Sequence, residues 1–246
     1  MTDPKAFKKI YISKQSLVSP VAQRAYEFFD KDKIEVVDDR PPVQSGGQLT
    51  AEEYKDSKRI LFITEHPGQF FKRCPGAKKG LSCCNYYVLN LGLQCNMDCS
   101  YCYLQSFINT PYSMVYSNIE QATMELDQLY RDNPDQVVRI GTGEVIDSLS
   151  LDPFTQYSRE LISCFKDKPN WNLEFKTKSN AVEQFLDCEH KGNVIVSWSI
   201  NPQYITQTEE HGTATLEERL DAAEKCLAKG FKIAFHVDPV IWYPQW

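Results

Sequence analysis

The sequence lacks three features, and each absence excludes a class of protein. No apolar run approaches the roughly 18 residues that a membrane-spanning helix needs, and the first residues do not resemble a secretory signal. Positive charge is not in excess, because 33 acidic side chains outnumber 27 basic ones. This balance argues against non-specific wrapping of nucleic acid. We therefore expect a soluble, cytoplasmic protein without a membrane partner.

Cysteine, in contrast, is abundant. Nine cysteines occur at uneven spacings among the 246 residues. A secreted disulfide scaffold would be shorter and would carry a signal segment, so this number indicates metal or redox chemistry in a reducing compartment. A hydrophobic content of 42% with 12% aromatic residues excludes intrinsic disorder and is enough for a sizeable core.

The order of hydrophobic segments predicts an α/β fold with two parts. Residues 1–85 are predicted to form a small N-terminal α/β domain. Its predicted elements are strands at 9–12, 34–37 and 60–63, helices that open at Ser19–Pro20 and at Thr50, and a basic loop over 68–84.

Residues 86–246 are predicted to alternate between strands and helices. The predicted strands lie at 86–91, 137–140, 171–177, 194–200 and 231–237, and the predicted helices at 119–130, 153–165, 181–186 and 216–228. Such βα units pair their strands in parallel through right-handed crossovers. We therefore predict a partial (β/α) barrel, short of its C-terminal part, with its chemistry on the loops that follow the strands.

Three cysteines follow the first predicted barrel strand. Cys95, Cys99 and Cys102 fall within eight residues and can wrap one face of a metal centre. A four-iron cluster needs four ligands, so three cysteines would leave one iron open to a chelating small molecule. Two alternatives stay open at this point, a zinc knot completed by a fourth ligand such as His66 and a set of buried free thiols.

The Cys-x3-Cys-x-aromatic-Cys pattern resembles the radical S-adenosylmethionine superfamily. That resemblance implies a 4Fe-4S cluster whose open iron chelates S-adenosylmethionine, and reductive cleavage of this cofactor to a 5′-deoxyadenosyl radical. Within the superfamily, the chain is most similar to the spore photoproduct lyase family. The segments that carry this similarity are 10–12, 99–105, 196–201, 212–224 and 234–241.

The resemblance also implies roles for residues outside the cysteines. The cofactor-binding residues implied by position are Tyr101, Thr142, Gly143, Glu144, Lys178 and Ser199. Glu144 is expected to pair with the methionine ammonium, Lys178 with its carboxylate, and Ser199 to reach the ribose. Tyr103, next to Cys102, corresponds to a tyrosine that relays a hydrogen atom and is the predicted catalytic residue. Simpler interpretations exist for three of these positions. Residues 141–144 could form a plain turn, Lys178 could face solvent, and Ser199 could be an ordinary serine at the end of a strand.

The sequence departs from this family at Gly141. Members of the family have a cysteine there that returns a hydrogen atom to the product radical, and no cysteine lies between Cys102 and Cys164 in this chain. Members of the family also continue beyond the position that corresponds to residue 246. We therefore expect radical initiation but poor or aberrant lesion repair, which Gly141→Cys is expected to improve.

The leading prediction is a lyase that acts on a DNA lesion, a thymine dimer, with a DNA or nucleotide substrate and an electron donor such as flavodoxin or ferredoxin. A radical-SAM enzyme with a different reaction outcome is the first alternative, because the hydrogen-donor cysteine is absent. A zinc-stabilised binding module without catalysis is the second.

A second group of cysteines lies in the basic loop. Cys74, Cys83 and Cys84 could hold an auxiliary metal with His66, form a redox pair, or stay unliganded. The remaining side chains of interest are predicted to be structural: Cys164, Cys226 and His236.

Overall fold

The structure, a computed structural model, describes residues 6–43, 47–76, 80 and 85–244. Its strands are β1 (Lys9–Ser13), β2 (Ile34–Val37), β3 (Ile60–Thr64), β4 (Phe71–Arg73), β5 (Tyr86–Leu89), β6 (Gly92–Leu93), β7 (Asp98–Cys99), β8 (Ser113–Tyr116), β9 (Val138–Gly141), β10 (Trp171–Thr177), β11 (Val194–Ser199), β12 (Glu210–His211) and β13 (Lys232–His236). Its α-helices are α1 (Pro20–Phe28), α2 (Ala51–Ser57), α3 (Ile119–Asp132), α4 (Asp152–Thr155), α5 (Tyr157–Phe165), α6 (Gln203–Thr208) and α7 (Leu216–Ala228). None of these helices is long and apolar enough to cross a membrane.

The larger sheet has the strand order β13-β11-β10-β9-β5-β4. The first five of these strands are parallel, and they correspond to the five strands predicted for the barrel. Each predicted strand pairs with its predicted neighbour, so the partial (β/α) barrel is confirmed. Trp171 and Trp198 are fully buried on its strands β10 and β11.

The smaller sheet has the order β2-β1-β3-β8-β6. Its first three strands come from the predicted N-terminal domain, whereas β8 and β6 come from the part predicted to be barrel. In the other direction, β4 leaves the N-terminal part and pairs with β5 of the barrel sheet. Strand pairing therefore crosses the predicted boundary at residue 85, and one hydrophobic core runs from Phe7 to Phe231.

Local sequence signals account for the helix starts. The Ser19 hydroxyl accepts the backbone N–H of Ala22 over 3.2 Å and caps α1. Thr50 opens α2, as predicted, with a capping box, and Thr215 opens α7 with a second one. The helix α7 ends just before Gly230, whose φ of +85° is the left-handed conformation typical of a helix C-terminus.

The predicted helix over 153–165 is wrong in one respect, since it is broken into α4 and α5. Gln156, at the break, adopts a left-handed φ of +51°. The buried Asp152 carboxylate accepts the N–H of Ser158 over 3.0 Å and also its hydroxyl, and these bonds compete with a continuous helix. Burial raises the pKa of Asp152 to about 6.

The predicted helix over 181–186 is also wrong, because this segment forms turns. Its backbone bonds join residues three apart, from Phe185 N–H to the Val182 carbonyl and from Cys188 N–H to the Phe185 carbonyl. So short a segment does not propagate a helix by itself, and burial of Val182 and Phe185 fixes the turns instead.

The predicted loop over 68–84 contains the strand β4, and its residues 77–79 and 81–84 lie outside the described residues. The Phe71 ring stacks on Tyr87 with 4.7 Å between centroids, which anchors β4 at the edge of the sheet. This strand matters for the site because it brings the segment after Arg73 to the barrel.

Candidate active site

A cavity of about 530 Å³ opens at the carboxyl ends of the parallel strands, where a barrel fold places its chemistry. Nine of the ten predicted site residues line it: Cys95, Cys99, Tyr101, Cys102, Tyr103, Gly143, Glu144, Lys178 and Ser199. Residues distant in sequence therefore meet in one pocket of the size that binds small molecules.

The three clustered cysteines share one part of the pocket wall. Burial raises the pKa of the Cys95 thiol to about 12 and that of Cys99 to about 11. Among the described residues, no three His, Cys, Asp or Glu side chains lie close enough together to hold a metal ion. The three cysteines of this segment match the number of protein ligands that an iron–sulfur cluster with one open iron needs.

His66, the suggested fourth zinc ligand, does not line this pocket. Its ring stacks on Tyr116 with 4.4 Å between centroids and meets the edge of Phe70 at 4.9 Å. The structure thus gives no support to a zinc knot completed by His66. Of the second cysteine group, Cys83 and Cys84 lie outside the described residues, and Cys74 lines the main pocket instead of a separate site.

A short antiparallel ladder holds the cysteine segment in place. Strands β7 and β12 pair Cys99 with Glu210 and Asp98 with His211. Just beyond the ladder, the N–H of Ser100 donates to the Glu209 carbonyl over 2.9 Å. The cysteine loop is thereby fixed to a segment more than a hundred residues later in the chain.

A buried ion pair, which the sequence analysis missed, connects two of the predicted cofactor residues. Arg219 and Glu210 pair over 2.6 Å with both side chains at 0% exposure. The Tyr101 hydroxyl donates to Glu210, and the Arg219 guanidinium donates to the Ser199 carbonyl over 2.8 Å. Burial would raise the pKa of Glu210, but the bond from Tyr101 and the charge of Arg219 outweigh it and hold this pKa below its ordinary value.

Lys58, also missed, supports the cysteine loop from behind. Its side chain is 4% exposed, and its ammonium donates to the Met97 carbonyl and pairs with Asp98 over 3.2 Å. The ammonium also lies 4.8 Å from the centroid of the Tyr54 ring. A buried cation with these partners fixes the loop between Cys95 and Cys99.

The loop after β9 approaches the neighbouring strand closely. A Cβ atom built on Gly143 would lie 2.8 Å from the Lys176 carbonyl oxygen and from the Ser148 hydroxyl, so glycine is required there. Thr142 is the one predicted site residue that does not line the pocket. Its buried side chain donates to the Ser148 hydroxyl over 2.8 Å.

Asp147, which the sequence analysis also missed, ties this loop to the end of β10. Its carboxylate accepts the backbone N–H of Lys178 over 2.8 Å and the hydroxyl of Thr177 over 2.7 Å. Glu144 and Lys178 consequently contribute opposite charges to one pocket, and the Lys178 ammonium lies 5.7 Å from the Tyr101 ring centroid.

Tyr103 stands at the mouth of the pocket, where its side chain is 59% exposed. Its hydroxyl donates to the Glu144 carbonyl over 3.0 Å, and partial burial raises its pKa, so the phenol keeps its hydrogen at neutral pH.

The side chains that were predicted to be structural lie outside the pocket. Cys226 is fully buried, and Cys164 packs half-buried against the core beside Asp127. The ring of His236 has a hydrogen-bond partner, since its Nε2 lies 3.2 Å from Glu174 Oε1.

Comparison with known proteins agrees with this geometry. A family model described as spore photoproduct lyase matches residues 6–246. The chain is 26% identical over 251 residues to spore photoproduct lyase of Bacillus subtilis (strain 168), covering 100% of this chain and 71% of that protein. It is 26% identical over 244 residues to the lyase of Geobacillus sp. (strain Y412MC61), covering 97% of this chain and 69% of that protein.

Among solved structures, the chain is similar to a double mutant of spore photoproduct lyase with bound AdoMet and dinucleoside spore photoproduct. The TM-score is 0.84 at 25% identity, over 98% of this chain and 70% of that one.

Proposed function

Because the chain belongs to the spore photoproduct lyase family, we propose that its pocket binds S-adenosylmethionine beside a cluster held by Cys95, Cys99 and Cys102, and that its substrate is the spore photoproduct, a thymine dimer lesion. The protein is a radical-SAM enzyme of the lyase class and uses a 4Fe-4S cluster and S-adenosylmethionine. When bound, this pair of cofactors supplies a carbon-centred radical that can take a hydrogen atom from a substrate.

One observation carries the assignment of the pocket. The three clustered cysteines, the Glu144 carboxylate and the Lys178 ammonium all line a single cavity of about 530 Å³. A small molecule with an amino and a carboxylate group needs this combination of charges beside an open metal position.

The charged residues are proposed to orient the cofactor. Glu144 binds the methionine ammonium and Lys178 binds the methionine carboxylate, each through a charge-assisted hydrogen bond. The required glycine at 143 supports this assignment, because it lets the chain that carries Glu144 pass close to β10.

The aromatic and hydroxyl groups are proposed to hold the nucleoside part. The Tyr101 ring is fixed by its bond to the buried Glu210 and offers a flat surface for adenine. Ser199, whose carbonyl is fixed by Arg219, reaches the ribose. Thr142 is proposed to act only through the backbone, since its side chain bonds to Ser148.

Tyr103 is proposed to relay a hydrogen atom between the cofactor and the substrate. It lies between Cys102 and the solvent-facing mouth, and its hydroxyl reaches the carbonyl of Glu144. A low-potential one-electron donor, such as flavodoxin or ferredoxin, is proposed to reduce the cluster, and a cytoplasmic location would suit such a donor.

The test is anaerobic reconstitution of the chain with iron and sulfide, followed by S-adenosylmethionine, dithionite and dinucleoside spore photoproduct. We expect about four irons per chain, absorbance near 400 nm, formation of 5′-deoxyadenosine and consumption of the dinucleoside. One bound zinc and no 5′-deoxyadenosine would overturn the enzyme assignment. Formation of 5′-deoxyadenosine with an intact dinucleoside would overturn the substrate and favour a radical-SAM reaction of different outcome.

A further inference from the structure

Gly141 leaves a space that another side chain fills. A Cβ atom built on Gly141 would lie 1.7 Å from the Tyr86 hydroxyl oxygen and 2.6 Å from Tyr86 Cζ. Tyr86 therefore occupies the position that a side chain at residue 141 would take. The prediction that Gly141→Cys would improve repair does not fit this geometry, because a cysteine has no room there unless Tyr86 moves.

The same strand pairing brings a different thiol to the pocket. The N–H of Cys74, just after β4, donates to the carbonyl of Tyr86 on β5 over 3.1 Å. Residues opposite each other in an antiparallel pair point their side chains to the same face. Cys74 and Tyr86 accordingly both line the pocket, together with Cys95, Cys99 and Cys102.

Cys74 is a half-buried free thiol that is not part of the three-cysteine segment. Its sulfur accepts the N–H of Gly76 over 3.4 Å. Within the described part of the chain, the S–H itself donates to no hydrogen-bond acceptor. The thiol hydrogen is thus available to a molecule in the cavity.

We propose that Cys74 is the catalytic residue that donates the closing hydrogen atom of the reaction, in place of the side chain that Tyr86 excludes at Gly141. This inference rests on the proposed function. The S–H bond of Cys74 breaks homolytically, a C–H bond forms at the radical carbon of the substrate, and a thiyl radical is left on Cys74. One electron from the low-potential donor and one proton from water restore the thiol, so atoms and electrons balance.

Apart from Cys74 and the three proposed cluster ligands, the thiols described by the structure are excluded by position. Cys226 is buried in the core, Cys164 lies beside Asp127, and Cys188 packs against the outside of the core. None of the three lines the pocket. Tyr86 lines it, but its phenol holds hydrogen more tightly towards a carbon radical than a thiol does.

The test compares wild type, Cys74→Ser and the matched control Cys188→Ser in D2O, with S-adenosylmethionine, dithionite and dinucleoside spore photoproduct. In D2O the exchangeable thiol carries deuterium, so wild type is expected to give intact thymines with one deuterium per turnover. Cys74→Ser is expected to keep forming 5′-deoxyadenosine while its yield of intact labelled thymines falls at least about tenfold. Cys188→Ser is expected to match wild type.

The outcomes separate the proposal that Cys74 is the hydrogen donor from the proposal that spore photoproduct is the substrate. Clean, labelled product from Cys74→Ser overturns the donor alone. Tyr86→Phe, which removes only the phenol hydrogen, is expected to keep the clean yield, and an equal loss in Tyr86→Phe would assign the donor to the phenol instead. A wild-type chain that forms 5′-deoxyadenosine but leaves the dinucleoside intact overturns the substrate, and the donor with it.

A second readout does not need turnover. Iodoacetamide labelling of the unreconstituted chain, mapped by mass spectrometry, is expected to slow several-fold at Cys74 when dinucleoside spore photoproduct is present. Labelling at Cys188 is expected to stay the same. Equal labelling of Cys74 with and without the dinucleoside would contradict its place beside the substrate.

Discussion

The two walls of the pocket are built differently. The cofactor wall, formed by residues 95–102 and Ser199, is held from behind by buried charge. Glu210 and Arg219 pair there with no solvent exposure, and Lys58 supports the cysteine loop at 4% exposure. Each of these groups would be costly to leave unpaired, so the wall has one low-energy arrangement.

The outer wall, formed by Cys74, Tyr86, Tyr103, Lys176 and Asp238, is held near the solvent. Its ion pair between Lys176 and Asp238 spans 3.1 Å, with the Asp238 side chain 66% exposed. Exposed pairs of this kind contribute little to stability. The comparison teaches that the fold holds the proposed cofactor wall firmly and leaves the outer wall freer to change.

The largest effect is expected when a proposed metal ligand in the cofactor wall is removed. Cys99→Ala is expected to abolish iron binding and S-adenosylmethionine cleavage while the chain stays folded, because the barrel core does not depend on this loop. Iron analysis and circular dichroism measure the two parts of this expectation. A full iron content in Cys99→Ala would contradict the assignment of the three cysteines.

The next largest effect is expected when the buried ion pair between Arg219 and Glu210 is broken. Arg219→Met leaves Glu210 as an unpaired buried charge and is expected to lower the free energy of unfolding by about 3–5 kcal/mol, measured in urea. Lys225→Met is the control, since Lys225 and Glu183 pair over 2.6 Å near the surface. The control should lose less than about 1 kcal/mol. Equal losses would remove the distinction between buried and exposed pairs.

A smaller effect is expected at Glu144, which lies in the loop after β9 and is proposed to bind the cofactor. Glu144→Gln removes one charge-assisted hydrogen bond, worth about 1.5–3 kcal/mol, and should weaken S-adenosylmethionine binding roughly 10–150-fold. Titration calorimetry on the reconstituted chain measures this change, and the iron content should stay as in wild type. Unaltered affinity would mean that residues 141–144 form only a turn.

The smallest effect on stability is expected on the outer wall. Tyr103→Phe loses one exposed hydrogen bond to the Glu144 carbonyl and should change the free energy of unfolding by less than about 1 kcal/mol. The yield of repaired dinucleoside should nevertheless fall, because the phenol is the proposed relay. Wild-type yield from Tyr103→Phe would contradict this role, and a large loss of stability would show that the outer wall is held as firmly as the cofactor wall.

Much of the barrel was predictable from the sequence because its central strands are buried. The segment 194–199, for example, begins with three β-branched apolar residues and is buried at five of its six positions, as is typical of parallel strands covered on both faces. The edge strand β4 was missed since it is three residues long and two of them, Lys72 and Arg73, are exposed and charged. The break at Gln156 was missed because it depends on the buried carboxylate of Asp152.

The candidate site was predictable where its residues lie close together in the sequence. The cysteine segment is visible in eight residues, whereas the Glu210–Arg219 pair and its bonds to Tyr101 and Ser199 require the folded chain. One signal was present for the pair: Arg219 lies on the buried face of α7 with three apolar residues, Ala222, Ala223 and Cys226. The place of Cys74 could not be predicted without the pairing of β4 with β5.

The ladder between β7 and β12 also has a consequence for the order of folding and iron binding. Ser100 and Glu209, which bond just beyond it, are 109 residues apart in the chain, and contacts across so long a loop form late in folding. We therefore expect the cysteine loop to take its final shape after most of the barrel has formed. In small zinc domains, by contrast, metal binding drives folding. Here we expect iron to enter a chain that is already folded, so that a protein stripped of iron by air can be refilled without being unfolded first.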